Sequence, residues 1–365
     1  MAFHILQKEA QKASNFVFSP LSFQCMLNLI TVGSRGPTLE QLLSFLGLKS
    51  INELNSLASQ IVTAVLFPSN ESEDLTRGPV VSFINGAWVD LSFHLKPSFQ
   101  ELVKGVYRAT AKEVDFVNKA NHVLHEVNSW METETRGLIK NILPQESLGN
   151  DTALVLANAL YFKGAWDRQF DATKTKNKDF HLLNGQIIQV PFMTCKAYHK
   201  HLYGCFDGYK ILKIPYQNGQ DSRQFSMYFF LPDAKDGLQN LIKIFRSNPE
   251  IYNKQFKLQE EDLPNFWIPR FKFSFKFEAS ETMKELGLVL PFSPDGGFSE
   301  MVDSPELLML SKVFHESSIE VNEEGTEAAA NCFVDTEKQL ELPKKCPSLA
   351  ISSFQVVEED EEAII

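Results

Sequence analysis

The stretch that most narrows the possible fold is TALVLANALYFKGAW, residues 152–166. Only Thr152, Asn158 and Lys163 interrupt its apolar run, so an extended chain here has no face suited to water. It reads as a strand buried on both faces, which requires packed layers above and below it. Other segments carry a different pattern. In RFKFSFKF, Phe271, Phe273, Phe275 and Phe277 alternate with Lys272, Ser274 and Lys276, the period of a strand with one wet face.

From about residue 180 strand-like runs dominate: GQIIQVPFM, YKILKIPY, QFSMYFFLP, FWIPRFKFSFKFEA and KVFHESSIEV. The first half is mainly helical, with intervening strands. LEQLLSFLGLKS places Leu39, Leu42, Leu43 and Leu46 on one helical face, with Thr38 leading as a cap. A second helix through HEVNSWMETETRGLIKNIL is predicted to end near Ile142 and Leu143, stopped by Pro144. No internal repeat, proline-rich linker or composition break precedes about residue 335, so one mixed α+β domain is the simplest organisation.

A formal charge of −11 and a pI near 5.3 argue against nucleic acid, whose phosphates need a basic surface, and against anionic membranes. The longest apolar stretches, such as FSMYFFLP, fall far short of the roughly 20 residues that cross a bilayer. No secretory signal is visible at the N-terminus, which favours a cytoplasmic or nucleocytoplasmic location. The five cysteines, Cys25, Cys195, Cys205, Cys332 and Cys346, suit a reducing compartment better than a disulfide framework.

Catalytic and metal signals are weak. CKAYHKHLYGC offers Cys195, His199, His201 and Cys205, but along a strand the two cysteines would lie about 33 Å apart. The spacing matches no usual zinc pattern, and neither a metal nor a cofactor is expected. There is no GxSxG, no phosphate-cradling glycine loop and no HExxH. His315 shares parity with Val313, Ser317 and Ile319 and reads as a hydrogen-bonded core residue, so the chain is not expected to be an enzyme.

The remaining stretch is EVNEEGTEAAANCFV, residues 320–334, in which charge and glycine give way to tiny side chains just after a strand. One reading is a helix N-terminus, since alanine is the best helix former. The other is a segment that changes partners, with side chains small enough to slot between existing strands.

Five motifs stand in a telling order: NFVFSPLSF (15–23), VNSWMETETRGLIKNILP (127–144), LVLANALYFKGAW (154–166), PRFKFSFKFEASETMKELGL (269–288) and KVFHESSIEVNEEGTEAAA (312–330). Together they resemble the serpins, inhibitors that trap proteases by inserting their own cleaved loop into a sheet, and the wording is nearest to plant serpins. The resemblance covers about residues 14–334. It implies an α+β fold with a large central β-sheet, further sheets and about eight to nine helices. It also implies a serpin-like domain over 1–334 with a shortened N-terminal helix, and a hinge and remnant reactive-centre loop over 322–342. Residues 343–365 form a divergent tail, expected to be disordered.

By the same resemblance Glu323, Glu324, Gly325, Thr326, Glu327, Ala328, Ala329 and Ala330 form the hinge, with Gly325 permitting the backbone turn. Ser19, Ser22, Asn158 and His315 match the polar cluster beneath the point where the sheet opens, and Trp166 the aromatic at its top. Parity from Thr326 puts Ala328, Ala330, Cys332, Val334 and Thr336 inside the sheet's core and Glu327, Asn331, Phe333 and Asp335 outside. The protease-facing bond falls near Lys338, Gln339 and Leu340. Partners are serine proteases, with cysteine proteases as a second class. The chain is expected to be a monomer, and family analogy offers an extracellular location as the alternative to the favoured cytoplasmic or nucleocytoplasmic one.

The ending TEKQLELPKKCPSLAISSFQVVEEDEEAII lacks the family's HPF-like and GxVxxP strands, which finish the core. The expectation is therefore a nominal serine-endopeptidase inhibitor that works poorly or not at all. The alternatives are a non-inhibitory binding scaffold and a simple protease substrate.

Overall fold

The structure is a computed structural model and describes residues 2–10, 15–65, 78–182, 184–195, 200–218, 224–248, 256–263, 266–294, 296–303, 308–337 and 355–358. The first 65 residues supply α1 (Ala2–Ala10), α2 (Pro20–Val32), α3 (Gly36–Leu46) and α4 (Ile51–Val65). These are followed by β1 (Val80–Asp90), α5 (Pro97–Val106), β2 (Ala109–Val114), α6 (Phe116–Glu134) and β3 (Thr152–Ala165). Next come β4 (Lys176–His181), β5 (Ile187–Met193), β6 (Lys200–Phe206), β7 (Tyr209–Pro215), β8 (Phe225–Pro232) and α7 (Leu238–Ser247). The remainder comprises β9 (Gln259–Asp262), β10 (Ile268–Pro269), β11 (Phe271–Glu278), α8 (Ser280–Glu285), β12 (Met309–Val321), β13 (Gly325–Glu337) and β14 (Gln355–Glu358).

Three sheets organise these strands. The largest runs β11-β12-β13-β3-β1-β2; a second runs β10-β5-β4, and a third β14-β8-β7-β6-β9. β3 is buried along nearly its whole length, as its composition requires. One face of the large sheet is covered by α2, whose Phe23, Met26, Leu27 and Ile30 join Leu154, Leu156, Val313, Cys332 and Val334 in one apolar cluster. On the other face Val123, Val127 and Met131 of α6 meet Val155, Ala157, Tyr161, Ala329 and Phe333. β11 keeps the predicted alternation, with its lysines exposed and Phe275 buried.

Three expectations need correction. α6 ends at Glu134, well short of Pro144: Arg136 and Gly137 turn left-handed (φ 49° and 80°), and the Gly137 N–H returns to the Glu132 carbonyl at 2.7 Å. Thr38 does not cap α3; the helix begins at Gly36 with Arg35 in the cap position, and Thr38 is buried within the first turn. Asn331 and Phe333, placed outside by parity, do lie on the face opposite Cys332 and Val334, but that face is no wetter: both are buried. The parity is right, but the second face is covered, because α6 roofs it.

Within the tail, Gln355–Glu358 forms β14, antiparallel to β8. Lys338, Gln339 and Leu340, the expected reactive bond, lie outside the described residues, as do His199 and Cys346. No helix among the described residues is long and apolar enough to cross a membrane.

Candidate functional site: the inserted hinge strand and the polar cluster it crosses

The segment 325–337 is neither a helix nor an exposed loop. β13 stands between β12 and β3, antiparallel to both, with Thr326 opposite Val321 and Gly164, and Ala330 opposite Ser317 and Leu160. Its backbone is therefore hydrogen-bonded on both sides, the condition under which a chain of small side chains is most stable in a packed layer. Thr326, Ala329, Ala330, Asn331, Cys332, Phe333 and Val334 are all buried.

The hinge starts from a three-residue connection between β12 and β13. Asn322 organises it: its side-chain oxygen accepts the N–H groups of Glu324 (3.0 Å) and Gly325 (3.1 Å), and its own N–H bonds the Gly325 carbonyl at 3.1 Å. Sequence reasoning passed over Asn322, although an Asn before a charged, glycine-containing turn is a recognisable signal. Gly325 is required for a reason other than the one expected. It is absent from the left-handed residues, but a Cβ built on it would lie 2.1 Å from the Gly164 carbonyl oxygen and 2.9 Å from the Ala165 Cα. Close backbone approach is the constraint there.

Trp166 holds this end. It is fully buried, stacks on Tyr216 with ring centroids 4.7 Å apart, and donates from Nε1 to the Asn322 carbonyl at 2.8 Å. Its backbone N–H bonds the Glu324 carbonyl at 3.0 Å, and that of Phe170 bonds the Glu323 carbonyl at 3.0 Å. The Tyr216 hydroxyl donates to Thr326 Oγ1 at 2.8 Å. The Glu323 carboxylate accepts from Thr175 at 2.7 Å and has Arg270 at 3.7 Å. Farther along, Glu327 accepts from the Tyr161 hydroxyl at 2.6 Å and faces Lys163 at 3.6 Å.

The four residues Ser19, Ser22, Asn158 and His315 are brought together at the strand's middle. The Ser19 N–H donates to His315 Nε2 at 3.0 Å, and Ser19 Oγ, capping α2, accepts the Ser22 N–H at 3.1 Å. The Ser22 hydroxyl donates to Asn158 Oδ1, and Asn158 Nδ2 donates to Asn85 Oδ1 at 2.8 Å. Asn85 continues the chain to the Tyr107 carbonyl at 2.8 Å, and the Ser317 hydroxyl lies 2.8 Å from His315 Nε2. Asn85 and Ser317 are members the sequence reading missed; a lone Asn inside the apolar β1 was the available signal. Cys332 of β13 pairs in register with His315 on one side and Asn158 on the other, so the strand threads between the two arms of the cluster.

Burial dominates the electrostatics here. It holds the His315 imidazole down to about 3, so the ring is neutral, and the bond accepted from Ser19 assigns its proton to Nδ1. Burial likewise pushes the Cys332 thiol well above the usual range. Both side chains are fully buried, and the cluster's hydrogen bonds join α2, β1, β3 and β12, two of which flank β13. Among the described residues no group of His, Cys, Asp and Glu side chains is placed to hold a metal ion.

The serpin (serine protease inhibitor) family profile matches residues 1–348. Serpin-ZX of Arabidopsis thaliana is 47% identical over 333 residues, which is 90% of this chain and 83% of that protein. Serpin-Z7 of Hordeum vulgare is 47% identical over 321 residues, 87% of this chain and 79% of that one. Among solved structures, Arabidopsis AtSerpin1 in its native stressed conformation superposes with a TM-score of 0.81 at 40% identity, covering 97% of this chain and 90% of that one. A cleaved serpin 42Da matches with a TM-score of 0.79 at 29% identity, covering 95% and 89%. With the motif order, the six-stranded sheet and the hinge strand in place, these matches show that the chain belongs to the serpin family.

Proposed function

We propose that this chain is a serpin built for trapping serine-type endopeptidases by loop insertion, and that in the inserted state it traps poorly or not at all. The single observation behind this reading is the position of β13. Trapping by insertion requires a gap between β12 and β3 that the loop fills only after a protease has cut it. Here residues 325–337 already occupy that position, with both backbone edges paired. A strand already seated has no further burial to gain, so cleavage beyond it releases little free energy. The family likeness supports proteases as partners: the profile matched over residues 1–348 is that of the serpin (serine protease inhibitor) family. The buried, neutral His315 supports a non-catalytic role.

The test is to incubate the purified chain with trypsin-like and chymotrypsin-like serine proteases, read covalent adducts on a denaturing gel, and record thermal melting before and after cleavage. The expected result is cleavage without adduct and a melting temperature that cleavage leaves unchanged. An adduct together with a large rise in melting temperature would overturn the proposal, because both require an uninserted loop that enters the sheet on cutting.

A further inference from the structure

Once the backbone of 325–337 is paired on both sides, the side chains it carries decide how favourable its seat is. Ala328, Ala329 and Ala330 bring no polar atom. Thr326 receives the Tyr216 hydroxyl at 2.8 Å, and Glu327 receives the Tyr161 hydroxyl at 2.6 Å. Asn331 is different. It is fully buried, and neither its Nδ2 nor its Oδ1 has a hydrogen-bond partner among the described residues.

Its surroundings explain why. Asn331 stands opposite Ala159 of β3, which offers a methyl group, and Glu316 of β12. The Glu316 carboxylate is engaged elsewhere, with Lys276 at 3.7 Å, and the Lys276 ammonium also donates to the Ile142 carbonyl at 2.7 Å. On the same face, Ala329 and Phe333 pack into the apolar cluster under α6. In an uninserted chain the same amide is hydrated; in the sheet it surrenders that hydration and gains no hydrogen bond from the described residues.

We propose that Asn331 restrains insertion: dehydration of its amide opposes the seating of 325–337, so the strand enters the sheet less readily than an apolar residue of similar size at this position would allow. The inference rests on the reading above, that this segment moves between a free and an inserted state. Asn331 acts as a tuning residue, setting how much of the chain still presents a free loop. It touches no protease bond.

The experiment is amide hydrogen exchange of the full chain, resolved over 325–337, with thermal melting beside it, for the wild type, Asn331→Leu and Asn331→Ala. Leucine keeps the branched shape of the amide but is larger, and alanine guards against the resulting overpacking. The wild-type segment is expected to be protected, exchange in either apolar variant to slow by roughly tenfold, and the melting temperature to rise by about 2 °C. The slowing is expected to be confined to β13 and its neighbours, leaving β6, β7 and β8 unchanged, which a general effect on stability would not do. A protected wild type whose two apolar variants exchange and melt as it does, or faster, would overturn the role of Asn331 while leaving insertion intact. A wild-type segment that exchanges like free peptide would overturn insertion itself, and this inference with it.

Discussion

At its start β13 is clasped by side chains from several elements, whereas at its middle it passes a polar cluster to which its own side chains add no hydrogen bond. The first turn is bonded by Asn322, Trp166 and Tyr216, and Glu323 has both Thr175 and Arg270 beside it. At the middle, Asn331 has no partner for its amide among the described residues, nor has His315 Nδ1, and Cys332 lies between His315 and Asn158. The hinge end is therefore specified mainly by bonds to Asn322, Glu323 and Glu324 of the connection, with Thr326 adding one from the strand itself. The middle is where insertion meets resistance. A strand that must seat on demand is best anchored where it begins and balanced where it crosses the sheet's polar centre.

The largest test of this contrast is Thr326→Arg. Thr326 is 2% exposed and opposes Gly164, so a guanidinium here must be buried or the strand must leave the sheet. The expected cost is several kcal/mol, enough to expel the segment. Hydrogen exchange over 325–337 should become as fast as in free peptide; retained protection would break the claim that the hinge end governs seating.

Next is Trp166→Ala, which removes the stack on Tyr216 and the bond to the Asn322 carbonyl. A loss of about 3–5 kcal/mol is expected by chemical denaturation. Trp166→Phe keeps most of the apolar contact and loses the bond with a small part of the ring, for roughly 1–2 kcal/mol. Equal losses in the two variants would mean that the bond, not the packing, holds the hinge.

The middle of the strand is probed by pH. His315 is held down to about 3 by burial, against an ordinary value near 6.5, so between these values the unfolded chain binds a proton that the folded chain refuses. Its contribution to stability is complete above about pH 6.5 and falls by roughly 1.4 kcal/mol per pH unit on acidification towards 3. Comparing the wild type with His315→Gln between pH 7 and pH 5 isolates this slope from that of the carboxylates. Parallel curves would sink the assignment of a buried neutral imidazole.

The smallest effect is expected from Arg270→Ala. Its guanidinium is half exposed and lies 3.7 Å from Glu323, so solvent screening limits the ion pair to about 1 kcal/mol or less. The difference from wild type should shrink as salt is added; a larger, salt-insensitive loss would show that the pair is an integral part of the hinge clasp.

Much of this architecture is legible in local pattern. A nearly apolar run such as 154–162, broken only by Asn158, reads as a strand covered on both faces, and alternation in 271–277 as a strand with one wet side. The end of α6 was misread because Arg136–Gly137 stops the helix through backbone handedness, a weaker signal in sequence than Pro144. Asn85 and Ser317 were missed because membership in a hydrogen-bonded cluster depends on which strands become neighbours.

The sequence alone determined that 325–334 has small side chains at its inward positions and the parity of an insertable strand, because side-chain size and period are properties of the chain itself. Whether that segment sits as a helix, a loop or a strand was decided only by the tertiary structure. The gap between β12 and β3 exists nowhere in the sequence, and it takes the closeness of Gly164, the roof of α6 and the Trp166–Tyr216 stack to settle which of the three the backbone adopts.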